Sequence, residues 1–360
     1  MKTSIPLAIL LPLLLTGVSC GSPSSGGTPG SPPGGNSGPS PYTDVPAPSD
    51  GIASFTVLPL DLSLSLFATA LGHIAGGGHV EPTAHAYIYA LNSSIEQNVY
   101  APANGNVIFL FNFGGSGLES GWKIMFRCTD NFYYYLAHVV TSSPSAVGTE
   151  VHAGDLLGQI PLGGTLDVGA FDATVSLTGF VNPARYGYDE LHCVTPWEYF
   201  VPQLKSQIYA MMHRAPNATP DARIDQDVPG TLAGTWFEQS LPADDHIVNG
   251  PQGWPKTLSF ALDEYDGQTP RVSLGGWPNP PGNALEFGNA YAVPSSITNW
   301  ADITVSSGLQ EIPLSSMFGN GQLGWLAVQQ LTDSEIEVEI WAGSNTTSQP
   351  FDSGALFYIR

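Results

Sequence analysis

Lysine and arginine are scarce: the 360 residues hold 10 of them against 31 Asp and Glu, a formal charge of −21. That balance excludes nucleic acid as a default partner and disfavours adsorption on anionic lipid headgroups, because both rest on basic side chains meeting phosphate. Charge of either sign is sparse, at 11 % of residues, which leaves few positions for the salt-bridged outer faces of surface helices. Cysteine occurs only at Cys20, Cys128 and Cys193, too few for a disulfide scaffold or a four-cysteine zinc module. Beyond Cys20 no stretch approaches the roughly 18 uncharged apolar residues of a membrane-spanning helix. A Gly-x-Ser-x-Gly elbow, a Cys-His pairing and a phosphate-cradling glycine loop are also missing, as is any repeat of fixed period.

What is abundant is glycine and proline, 41 and 31 residues. With few charges, this reads as a mainly β chain with many turns. The apolar run Ile5–Gly17 follows Lys2 and leads into Gly17-Val18-Ser19-Cys20, the order of a secretory signal over residues 1–19 that ends at a lipidatable cysteine. Small residues before the cysteine suit a narrow peptidase cleft. Gly17 stands where such signals usually carry Leu, which leaves ordinary secretory cleavage open. Residues 20–50 are rich in Gly, Ser and Pro and hold almost no large apolar side chain. Such a stretch cannot offset its own ordering entropy and reads as a disordered tether. The expected location is therefore outside the cytoplasm, on a lipid anchor at Cys20, facing the periplasm or the cell surface.

Two β domains are expected after the tether. Over residues 51–214, Val99–Pro102 and Asn104–Leu110 read as strand, tight turn, strand; Trp122–Arg127 and Phe132–Val140 flank a Thr129-Asp130-Asn131 turn; and Val151–Ile160 adds a turn and a strand. Pro196–Met212 carries Tyr199, Phe200, Leu204, Ile208 and Met212 near helical spacing. Residues 215–229, with Pro216, Pro220 and Pro229, suit an interdomain linker. In residues 230–360, Leu258, Phe260 and Leu262 alternate with Ser259 and Ala261, and Ile336, Val338 and Ile340 alternate with Glu335, Glu337 and Glu339. That is the period of strands with one buried face, in an antiparallel sandwich or small barrel. Cys128 and Cys193 fall in the first domain, where an oxidising compartment permits a disulfide; two buried free thiols are the alternative.

Four stretches of the first domain, in order, carry a family resemblance. They are Gly78-His79-Val80-Glu81-Pro82-Thr83-Ala84-His85, Val99–Val107 with its Ala101-Pro102 and Gly105, Tyr135-Leu136-Ala137-His138, and Val151-His152-Ala153-Gly154-Asp155-Leu156-Leu157-Gly158-Gln159. Together they resemble the duplicated-hybrid-motif domain of lysostaphin-type zinc endopeptidases, which cut the peptide cross-bridges of peptidoglycan. The resemblance implies an antiparallel β fold. It also implies zinc ligands from an H-x-x-x-D motif and from the second His of an H-x-H, and catalytic histidines at the head of the H-x-H and on the Y-x-x-H strand. Here His85 matches the first ligand and His138 the Y-x-x-H histidine. Tyr89 stands where the Asp belongs, and Asp167-Val168-Gly169 replaces the H-x-H.

One ligand of three cannot hold a catalytic zinc, which needs three protein ligands and an open position. The expectation is a pseudoenzyme without a metal cofactor, whose vestigial or ligand-binding cleft is lined by His79, His85, Tyr89, His138 and Asp167. Its expected partner is a cell-envelope glycan or protein, with the membrane touched only through Cys20. A rebuilt metal site on His85, His138 and Asp167, in a peptidoglycan hydrolase, is the alternative. Asp172 and His192 are further candidates, although an Asp closing a strand is usually a turn former. Asp244-Asp245-His246 is metal-like in composition, yet neighbours on a loop seldom aim at one point. Phe132-Tyr133-Tyr134-Tyr135 reads as two buried and two exposed aromatics, for core packing or for stacking on sugar.

Overall fold

The computed structural model describes residue 42 and residues 44–360, apart from 76–78, 91–94, 115–116, 118–119, 217, 219–222, 243–255, 277–288, 318–320 and 343–350. The signal stretch, Cys20 and Asp244-Asp245-His246 lie outside the described residues. Among those described, no helix is long and apolar enough to cross a membrane.

The chain is mainly β and its strands pair antiparallel. The first body holds β1 (Ser65–Ala68), β2 (Ala86–Ala90), β3 (Gln97–Tyr100), β4 (Gly105–Asn112), β5 (Trp122–Arg127), β6 (Phe132–Val139), β7 (Glu150–Val151), β8 (Leu156–Ile160) and β9 (Thr165–Asp172). A single helical turn, α1 (Tyr188–Leu191), then leads to β10 (Cys193–Val194) and α2 (Pro202–Ala210). The large sheet runs β1-β2-β9-β6-β5-β4-β7, with β10 on β9.

The expected hairpin of β3 and β4 is not formed. β3 pairs with β8 in a separate two-stranded sheet, while β4 joins β5 and β7. The chain changes sheets after Ala101, whose backbone still exchanges hydrogen bonds with Gly154 and Asp155. At Gly105 a β-carbon would sit only 3.1 Å from Phe126 Cβ, so a close crossing favours glycine there. The helix expected over Pro196–Met212 is split into a 3₁₀ turn, Pro196–Tyr199, and α2. Pro202 opens α2 because its ring disfavours a helical residue before it and its missing N–H costs nothing at a helix start.

β6 lies mid-sheet with both faces covered. Phe132, Tyr134 and Leu136 enter the main core, while Tyr133, Tyr135 and Ala137 enter a second cluster with Phe171, Tyr188 and Tyr42. All four of Phe132–Tyr135 are therefore buried, against the expectation of two, and none is a sugar platform. Tyr42 also moves the start of the folded body ahead of residue 51.

Of the two alternatives for Cys128 and Cys193, the structure shows buried free thiols. Cys128 follows β5 and Cys193 lies on β10; the sheet order sets β6 and β9 between them. Three inter-strand steps are about 14 Å, far beyond the reach of a disulfide.

The second body is a closed barrel of β11 (Gly234–Glu238), β12 (Thr257–Leu262), β13 (Pro270–Leu274), β14 (Asn289–Ala292), β15 (Gln310–Ser316), β16 (Gln322–Thr332), β17 (Glu335–Ala342) and β18 (Leu356–Ile359). Of sandwich or barrel, closure wins. Trp236, Phe260, Tyr291, Trp300 and Tyr358 fill the interior with Ile336, Val338 and Ile340. The Arg360 guanidinium lies 4.0 Å from the Trp236 ring and donates to the carbonyls of Ala233, Val228 and Thr231.

Within the stretch expected as a linker, the described residues Ile224, Asp225 and Asp227 make fixed contacts. Ile224 is in the core of the first body. Asp225 accepts from Gly179 N at 2.8 Å, and Asp227 accepts from Val181 N and Thr235 N at 2.9 Å each. Phe237 and Leu241, from the second body, also belong to the first body's core.

Candidate functional site

The register of β2, β9 and β6 builds the site. Tyr87 pairs with Asp167 and Asp167 with Ala137, in one row across three strands. One row along, Gly169 pairs with Tyr135, and continuing the β2 register sets His85 beside Gly169. Side chains two residues apart share a face, so His85, Tyr87, Asp167 and Tyr135 all project to the same side.

His85, His138, Asp167 and His79 do come together. Asp167 Oδ2 lies 3.3 Å from His138 Nε2 and 3.6 Å from His85 Nε2. The Tyr87 hydroxyl lies 2.8 Å from His85 Nε2 and 3.2 Å from His79 Nε2. His138 reaches Asp167 from the end of β6 with φ 66°, the one positive φ among the described non-glycine residues, and its ring stacks on Phe113 at 4.6 Å. A left-handed histidine is strained backbone, held here by its packing.

Tyr89 borders this group: it lies four residues, about 13 Å, along the strand from His85, and its ring packs on Phe67 at 4.5 Å and lies 5.9 Å from the Tyr87 ring. Asp172 is a turn former, accepting from Thr174 N at 2.9 Å and from the Tyr199 hydroxyl at 3.0 Å. His192 packs on Tyr188 and its Nδ1 lies 2.5 Å from Val175 O, away from the cluster.

Burial and partners set the charge state. Burial raises the Asp167 carboxyl, but His138 and His85 outweigh it and hold the group at about 2. Burial drives His85 down to about 3, opposed only in part by Asp167. At neutral pH the centre is an ionised Asp167 beside a neutral His85. Burial also keeps the Tyr87 and Tyr135 phenols well above their usual range.

The family's own zinc position is not reproduced, because Tyr89 and Gly169 stand at two of its three ligand places. A β-carbon at Gly169 would meet Tyr135 Cε1 at 2.1 Å, so the tyrosine ring occupies the space an imidazole would need. Lys123 Nζ sits 3.8 Å over that ring. Among the described residues, no group of three or more His, Cys, Asp or Glu is arranged to hold a metal ion.

Sequence reading missed how the barrel reaches this centre. His73 Nδ1 lies 2.9 Å from Glu264 Oε1, Ser273 Oγ donates to His79 O at 3.4 Å, and Ile74 is buried with Ala261 and Ala290. Glu264 lies 191 residues from His73, a distance no local pattern spans. Tyr87 was within reach: it is two residues after His85 on one strand face.

No family model and no curated protein matches the chain. Among solved structures, Helicobacter pylori Csd3 is 13 % identical, over 44 % of this chain and 40 % of that one, with a TM-score of 0.28. A zinc-containing peptidase from Vibrio cholerae is 14 % identical, over 34 % and 40 %, with a TM-score of 0.24. Lysostaphin is 13 % identical, over 80 % and 86 %, with a TM-score of 0.24. The match thus spans well under half the length of the first two. Likeness this remote assigns neither a family nor an activity.

Proposed function

We propose that this chain is an exported, lipid-anchored envelope protein whose first body is a pseudoenzyme. In this reading it binds a peptidoglycan or other envelope ligand, or holds the barrel in place, without hydrolysing anything. The Tyr135 ring over Gly169 carries the proposal. It fills the position where the resemblance calls for a metal-ligating imidazole, and the Tyr87 hydroxyl engages His85, the one ligand match that remains, together with His79. The export part rests on the Ile5–Cys20 stretch.

One atom favours the rebuilt hydrolase instead. Asp167 is 5 % exposed, and its Oδ1 is buried without a hydrogen bond. Buried carboxylate oxygens are normally satisfied, so a cation on Asp167, His85 and His138 is the second reading.

One experiment separates them. The purified mature chain is analysed for zinc, copper, iron, manganese and calcium, then incubated with purified peptidoglycan sacculi in sedimentation and fragment-release assays. The pseudoenzyme reading expects co-sedimentation, no fragment release and substoichiometric metal. About one metal ion per chain, with chelator-sensitive release of fragments, would overturn it in favour of the second reading.

A further inference from the structure

Tyr42 comes from the proline-rich stretch ahead of the first strand, yet it is among the buried residues, at 7 % exposure. Its ring lies 5.8 Å from Phe171, 6.0 Å from Tyr133 and 6.4 Å from Tyr188. Its hydroxyl donates to Asp189 Oδ1 at 2.9 Å. Further along, Arg127 Nη1 donates to Val45 O at 2.7 Å, and Asn106 Nδ2 donates to Pro46 O at 2.8 Å. Asp44 and Pro46 are exposed between the buried ends Tyr42 and Pro48. The segment is a strand of neither sheet.

This is how extended proline-rich peptides are recognised. Proline holds the backbone extended before docking, so little entropy is lost, while carbonyls stay available as acceptors. An aromatic-lined pocket takes one side chain, and side-chain donors take the carbonyls. Here the pocket is Tyr133, Phe171 and Tyr188 with Asp189 at its floor, and the donors are Arg127 and Asn106. Arg127 is itself fixed, donating to Asp130 Oδ1 at 2.8 Å.

We propose that this face of the first sheet is a recognition groove for an extended, proline-rich, tyrosine-bearing peptide, and that the chain's own Tyr42 and residues 44–48 occupy it in cis as a releasable strap. The strap bears on the histidine centre through packing. Tyr42 and Tyr135 belong to one apolar cluster, and Tyr135 is the ring that lies over Gly169. Occupancy of the groove backs the wall that keeps the tyrosine in place.

The test uses the mature chain, its Tyr42→Ala variant, and a fluorescein-labelled synthetic peptide of residues 38–50, read by anisotropy. A segment tethered in cis competes at an effective concentration of about millimolar. The wild-type chain is expected not to bind the peptide, and the Tyr42→Ala chain to bind it saturably. Adding Asp189→Asn to the Tyr42→Ala chain is expected to weaken that binding about tenfold, through a weaker hydrogen bond from the peptide's tyrosine. A folded Tyr42→Ala chain that ignores the peptide up to millimolar concentration overturns the groove. So does equal binding to wild type, which would place the peptide elsewhere. If Tyr42→Ala does not fold, limited proteolysis of the wild type decides. Cleavage within residues 42–48 under native conditions, with β6 intact, supports a releasable strap; cleavage only on global unfolding overturns it.

Discussion

A methyl group at position 169 would have to displace an aromatic ring, and that makes the site testable one residue at a time. Gly169→Ala is expected to destabilise the fold by about 1–3 kcal/mol, the usual penalty for overpacking, read from the urea midpoint. In a Tyr135→Ala background the same substitution should cost much less, because the clash partner is gone; equal costs in both backgrounds would mean the ring is not what fills the space. His85 gives a pH signature. Its folded value of about 3 is below the ordinary 6.5, so its contribution is complete above 6.5 and is lost as pH falls toward 3. Denaturation of wild type and His85→Gln across that window should show wild type losing more stability on acidification, by an amount on the order of several kcal/mol. Glu81 runs the other way: burial raises its carboxyl from 4.5 to about 8, so stability falls as pH rises between those values. Glu81→Gln should flatten that limb of the stability–pH curve.

Strand pairing decides what single residues can do. β6 is buried on both faces, so its apolar residues run continuously instead of alternating, and period-two reasoning exposes tyrosines that the sheet covers. Sheet order likewise sets two strands, β6 and β9, between the two cysteines. A Cys20→Ser chain is therefore expected to give no reaction with a thiol reagent such as DTNB when native, and to react through both Cys128 and Cys193 when denatured without reductant. A missing thiol signal after denaturation would contradict the strand order. Burial pushes the Cys128 and Cys193 thiols well up, which also suppresses thiolate chemistry in the native state.

At the scale of the whole molecule the two bodies share side chains. Phe237, on β11 of the barrel, lies in the first body's core, and its ring is 5.0 Å from the guanidinium of Arg185, which donates to Pro242 O at 2.5 Å. Phe237→Ala should cost about 3–5 kcal/mol and lower unfolding of both bodies together. Calorimetry is expected to show one transition in wild type. A Phe237→Ala chain whose first body melts unchanged would show that the shared core does not couple the two.

The sequence alone carried the β class, most strand positions and the identity of the histidines and aspartate that meet, because periodicity, turn residues and motif order are properties of short stretches. What it could not carry was long-range: that β3 pairs with β8 and not with β4, that Cys128 and Cys193 stay apart, and that Ile224, between the two bodies, packs into the first core. Each depended on which strands became neighbours. How His85, His138 and Asp167 sit relative to one another was likewise decided only in three dimensions. Lateral register sets Tyr135 over Gly169 and Tyr87 between two imidazoles, and register depends on the pairing of strands far apart in the chain, which no local window records.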